Sequence, residues 1–241
     1  MVDGMNPRIL FFLTALLAGC TTQAPAPVAD YSDALLPGRS VHTVLPGDTL
    51  YSIAWANGVD YRDLARWNNL PSPERIVAGQ KISLRPPPGE AQEARKPRAA
   101  QPSPSPSPSP SPTPAGGGAK RTWVWPVRGE VAETFSIARG NKGIDIRARR
   151  GAPVVAAAAG TVVYAGNGLR GYGNLIIIKH DAAYLSAYAH NRSIRVAEGG
   201  QVGRGETIGE VGGEGKFTET LHFEIRREGK PVNPLRHLPP R

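Results

Sequence analysis

Few side chains in this sequence of 241 residues are of the types that do covalent or metal chemistry: five histidines and a single cysteine. One cysteine excludes an internal disulfide framework and a cysteine-rich metal site. Its surroundings say more. Arg8 precedes an apolar run from Ile9 to Leu17, and Leu17-Ala18-Gly19 leads into Cys20. A positive start, a short greasy core and small residues at the cut are the order of a secretory signal. The run is too short for a hydrocarbon core of ~30 Å, which needs about 20 apolar residues. Farther on, Asp145, His190 and His222 each sit in a short apolar segment, Ile144-Asp145-Ile146, Tyr188-Ala189-His190 and Leu221-His222-Phe223. Such groups either line a functional groove or are satisfied by neighbouring backbone and side chains. Arg170 and Tyr172 alternate with Gly171 and Gly173. They are either anchors of an interface, where Arg and Tyr are favoured, or side chains of a tight turn in water.

The formal charge is +9, which suits an anionic partner: nucleic acid, anionic lipid or the acidic polymers of a bacterial envelope. Most of the excess lies from Lys120 onward, with no run long enough for a basic tail. Export takes the chain away from DNA and no recognition motif accompanies the basic residues, so nucleic acid is not an expected partner.

These residues need elements to position them, and 24 prolines with 28 glycines say that part of the chain is not packed core. Residues 1–19 form the signal, and 20–39, rich in Ala and Pro, a flexible tether. Between 40 and 86 the pattern reads strand, helix, helix, strand. Asp48 is placed to cap the first helix, whose inner face is Leu50, Ile53 and Ala54, and Gly58 closes it. Asp60 caps the second, with Leu64 and Trp67 inward, and Ile82 and Leu84 form the closing strand. From 87 to 121 the Ser-Pro repeat predicts an extended spacer, rising about 3.1 Å per residue. From 122 to 241 the apolar runs are short, β-branched and bounded by glycine, so this domain is expected to be all-β.

Four resemblances follow, from motifs and from longer stretches. Leu17-Ala18-Gly19-Cys20 resembles the bacterial lipobox, which implies acylation of Cys20 and, with Thr21 rather than Asp after it, sorting to the outer membrane. Pro46-Gly47-Asp48-Thr49-Leu50, Asn68-Asn69-Leu70 and Ala78-Gly79-Gln80-Lys81-Ile82 resemble a LysM domain, a small α+β fold. This implies binding of N-acetylglucosamine-containing peptidoglycan glycan strands, with Gly47, Asp48, Thr49 and the segment after Asn69 flanking the groove. Trp125-Pro126, Lys142-Gly143-Ile144-Asp145-Ile146, Tyr188-Ala189-His190 and Leu221-His222-Phe223-Glu224-Ile225 resemble the lysostaphin/LytM-type zinc endopeptidases. In that family two His and one Asp bind zinc and two further His assist the water. Carried over, Asp145 and His222 match ligands and His190 the strand histidine.

Two positions depart: Asn141 stands where the first ligand His belongs, and Thr220 where the first His of a His-x-His belongs. A catalytic zinc uses three protein ligands and an open position, and a neutral amide is a weak zinc donor. The expectation is therefore a degenerate domain with no catalytic residue, no metal and no cofactor. His180 and His237 match no motif position and are expected to be surface or structural residues. The run from Gly166 to His180 and the order lipobox, LysM, spacer, degenerate LytM domain are similar to the outer-membrane lipoproteins that activate septal amidases. That resemblance implies a periplasm-facing activator of an AmiC-type N-acetylmuramoyl-L-alanine amidase, enriched at the division septum, with Arg170, Tyr172 and Tyr188 as amidase-contact candidates. The competing expectations are an active zinc endopeptidase and a passive wall-binding tether.

Overall fold

The computed structural model describes residues 40–72, 75–87 and 122–240. The signal, Cys20, the tether and nearly all of the spacer lie outside the described residues. The small module has the expected order, β1 (Val41–Thr43), α1 (Leu50–Asn57), α2 (Tyr61–Trp67) and β2 (Lys81–Ser83), with β1 and β2 antiparallel and His42 opposite Ile82. Gly58 ends α1 at φ 65°, and the Asp60 carboxylate accepts the Arg62 amide at the start of α2.

Asp48 does not cap α1; Thr49 does. Its hydroxyl accepts the Ser52 amide while the Ser52 hydroxyl accepts the Thr49 amide, each at 3.0 Å, a reciprocal box that satisfies two otherwise orphaned donors. The Asp48 carboxylate is engaged elsewhere, 2.7 Å from His42 Nε2 and 2.9 Å from the Leu45 amide. β1 is turned to match: His42 and Val44 point inward, whereas Val41 is 43% exposed. Thr49→Ala should cost about 0.5–2 kcal/mol, measurable as a shift of the urea midpoint.

α1 departs from its expected single apolar face, since every residue from Leu50 to Trp55 is buried. A helix buried all round has packing on two sides, and the second side is the C-terminal domain.

That domain is an antiparallel sheet in the order β3 (Glu130–Glu133), β4 (Ile144–Arg147), β11 (Thr220–Arg227), β8 (Tyr184–Ile194), β7 (Asn174–Lys179), β6 (Gly160–Gly166) and β9 (Gln201–Val202). β10 (Thr207–Val211) pairs with β5 (Pro153–Val155) and β8, and β12 (Lys230–Val232) with β11. The only helical turns described here are 3-10. Side chains alternate across a strand, so register sorts the residues. Ile176, Tyr188, Phe223 and Ile144 fall in one row and pack into the core with Trp123, Val154 and Ile208. The rows Ile177–Ala187–Glu224 and Ala189–His222–Asp145 lie on the opposite face. Part of that face is covered by the small module: Leu175, Ile177, Leu185, Ala187 and Ala189 share one buried cluster with Leu50, Ile53, Trp55 and Leu64.

Candidate functional site

Pairing of β4 with β11 sets Asp145 opposite His222, and Asp145 Oδ1 lies 2.5 Å from His222 Nδ1. The other ring nitrogen, Nε2, is 3.2 Å from Glu224 Oε1. Glu224 Oε2 in turn accepts from Arg226 Nε at 3.1 Å and Nη2 at 3.0 Å, and Oε1 accepts the Tyr172 hydroxyl at 2.9 Å. A period of two along β11 therefore builds one row of alternating charge, Asp145–His222–Glu224–Arg226, whose last two members are each 1% exposed.

The row favours the charged forms of His222 and Glu224. Burial pulls the His222 imidazole down, but its bonds to Asp145 and Glu224 outweigh that and raise it to about 9. Burial pushes the Glu224 carboxyl up, but His222 and Arg226 outweigh it and lower it to about 2. The Tyr172 phenol is driven above its ordinary range by burial and by the charge on Glu224.

These residues do not fit a catalytic zinc. A catalytic zinc takes three protein ligands, and of the three ligand positions only Asp145 and His222 keep a side chain of a good ligating type. The Asn141 amide is tied into its own turn, Oδ1 accepting the Gly143 amide at 3.0 Å and Nδ2 donating to the Thr134 carbonyl at 3.3 Å. Thr220 lies on the His222 face of β11 and brings only a hydroxyl. Among the described residues no group of three His, Cys, Asp or Glu is arranged to hold a metal.

The chain matches the LysM domain over residues 42–85 and Peptidase family M23 over 139–234. It is 45% identical to the Lipoprotein NlpD/LppB homolog of Pseudomonas aeruginosa, over 94% of this chain and 89% of that one. It is 42% identical to the uncharacterized lipoprotein YgeR of Escherichia coli, over 96% and 92%, and 39% identical to the murein hydrolase activator NlpD of Escherichia coli, over 84% and 68%. The chain belongs to the NlpD family.

Within this NlpD-family chain the remaining expected site residues separate. His190 reaches the side of the sheet that carries His222: it has φ 61°, its ring stacks on Phe217 at 3.6 Å and lies 6.2 Å from the ring of His222. Arg170 is exposed, while Tyr172 turns inward to Glu224 with its ring 6.3 Å from that of His222. Tyr188 is a correction. It is fully buried in the core, where its hydroxyl accepts the Ala157 amide at 2.7 Å and bonds Ser186 at 2.9 Å, so it is no surface contact. Of the two roles expected for His180, surface or structural, the structure shows the second: its ring nitrogens bond the Ala159 carbonyl and the Ser186 hydroxyl. In the small module Gly47 (φ 87°) and Asn69 (φ 51°) are exposed turn residues in the left-handed region, whereas the side chains of Asp48 and Thr49 are engaged within the module. Glu224 and Arg226 are site residues that the motifs did not single out. The signal was present: two opposite charges spaced by two inside an apolar strand share one face and pair there.

Proposed function

We propose that this chain is a non-catalytic activator of a peptidoglycan N-acetylmuramoyl-L-alanine amidase of the AmiC type, acting in septal wall splitting and daughter-cell separation. It is held to the outer membrane through an acylated Cys20, faces the periplasm, and grips peptidoglycan glycan strands through its LysM module at Gly47, Asp48, Thr49 and Asn69. The observation that carries the reading is Asn141, a neutral amide at the first ligand position whose oxygen and nitrogen are both spent within its own turn, on the Gly143 amide and the Thr134 carbonyl. Relatives that match most of this chain bear the name murein hydrolase activator, which supports a partner hydrolase as the source of the chemistry.

The groove face beside Asn141, Asp145, His190, Thr220 and His222, with Arg170 at its rim and Tyr172 inside, receives a segment of the amidase. Preference for the amidase's open state draws an inhibitory element away from the amidase's own metal, and the rate gain is bounded by that difference in affinity.

The test is dye release from labelled sacculi by the signal-less chain, by the amidase and by both together. Synergy with no release by the chain alone is the expected result. Release by the chain alone, abolished by a chelator, would make it an endopeptidase. Amidase activity unchanged by the chain would leave only a tether.

A further inference from the structure

The LysM module and the charged row share one face of the large sheet, and the join between them is specific. Arg226, the end of the row, places its guanidinium 3.5 Å from the centroid of the Trp55 ring and donates through Nη1 to the Trp55 carbonyl at 2.7 Å. From β7, Lys179 donates to the Tyr51 hydroxyl at 3.3 Å and stands over the Tyr51 and Tyr61 rings at 5.7 and 5.4 Å. The β11–β12 turn presses so closely on the start of α2 that a Cβ on Gly229 would lie 2.6 Å from the Asp60 nitrogen and 2.8 Å from its Cα.

We infer that the LysM module is a clasp: through Trp55 on Arg226 it occupies the apolar strip of β7 and β8 beside the charged row, and a protein partner gains that strip only when the module leaves. The strip is Leu175, Ile177, Leu185 and Ala187, buried with the LysM core. A partner that replaces the module has to offer what Trp55 offers, an aromatic face and a carbonyl, or Arg226 loses a cation–π contact and a charge-assisted bond at once. Only the consequence for an amidase rests on the function proposed above; the clasp itself does not.

The test uses the signal-less chain with Cys20→Ser and Ala187→Cys, so that maleimide labelling reports whether the strip, where Ala187 is 1% exposed, is open. Gly229→Asn is the wedge, since Asn tolerates a left-handed φ but brings the Cβ that the contact excludes; Trp55→Ala removes the clasp from the other side. Folding is checked by circular dichroism. Labelling is expected to be at least 10-fold faster in a folded wedge or Trp55 variant than in the parent, at rates independent of chain concentration, as an intrachain clasp requires. Amidase activation at limiting chain is expected to rise several-fold. Equal labelling in parent and both variants overturns the clasp, and so does protection lost on dilution. Faster labelling with no gain in activation overturns the masking of the partner. If no version of the chain activates the amidase, the activator reading falls and labelling alone decides the clasp.

Discussion

Zinc affinity should rise by about 100-fold or more when Asn141 is replaced by histidine, since even groups that only support a ligand are commonly worth 10–100-fold. The substitution adds an imidazole in the turn that leads into β4, four residues before Asp145, and brings the protein ligands to three. The metal must still displace the proton that His222 holds between Asp145 and Glu224. That imidazole is protonated below about 9 rather than below its ordinary 6.5, so binding expels a proton and affinity should climb with pH across that interval and level off above it. Competition against a chromophoric chelator at several pH values measures both effects. An affinity unchanged from the parent, or one that falls as pH rises, would contradict the account of why this site is degenerate. Adding Thr220→His should affect any gained hydrolysis more than binding, because that position supplies an assisting group and not a ligand in the resemblance that identifies it.

Glu224→Ala should lower folding stability by about 3–5 kcal/mol, the scale for removing one partner of a buried ion pair. The Arg226 guanidinium would keep its place under Trp55 with no carboxylate, and His222 and Tyr172 would each lose a bond. Arg226 bridges both modules, so the loss should appear in the melting of both. A control separates pairing from packing: Glu224→Leu with Arg226→Met should recover much of the loss, because apolar residues of similar volume often replace a buried pair at little cost. Equilibrium urea denaturation of the three chains provides the comparison. A single-variant loss below about 1 kcal/mol would place the row on the surface instead.

Local rules carried much of the sequence reading. Gly58, Asp60 and the Ile82 strand act as their residue types predict, and the glycine-bounded β-branched runs became β6, β7, β8, β10 and β11. Asp48 misled because two side chains competed for one role: the Thr49–Ser52 box leaves the carboxylate for His42, a pairing across six residues that no local pattern displays. Tyr188 misled because it stands next to the motif residue His190 with only Ala189 between. Strand alternation sends Tyr188 into the core, and the left-handed backbone at His190 breaks the alternation that would put them on one side. α1 was legible on one face only. Residues buried against a distant part of the chain look, in the sequence, like an ordinary apolar excess, and Tyr51 and Trp55 gave no sign of what they touch. Asp145 and His222 were found by motif, but their partner Glu224 was visible only through strand period.

Arg226, which joins the two modules, is sealed from solvent, whereas Arg149, Arg150 and Arg170 stand in water. Dissolved ions shorten the reach of exposed charges to about 10 Å at 0.1 M and act far less on buried pairs. Raising ionic strength therefore weakens the pull of the exposed arginines on any anionic polymer while leaving the closed arrangement intact. Salt would then govern what the exposed surface adsorbs to without governing what the chain uncovers.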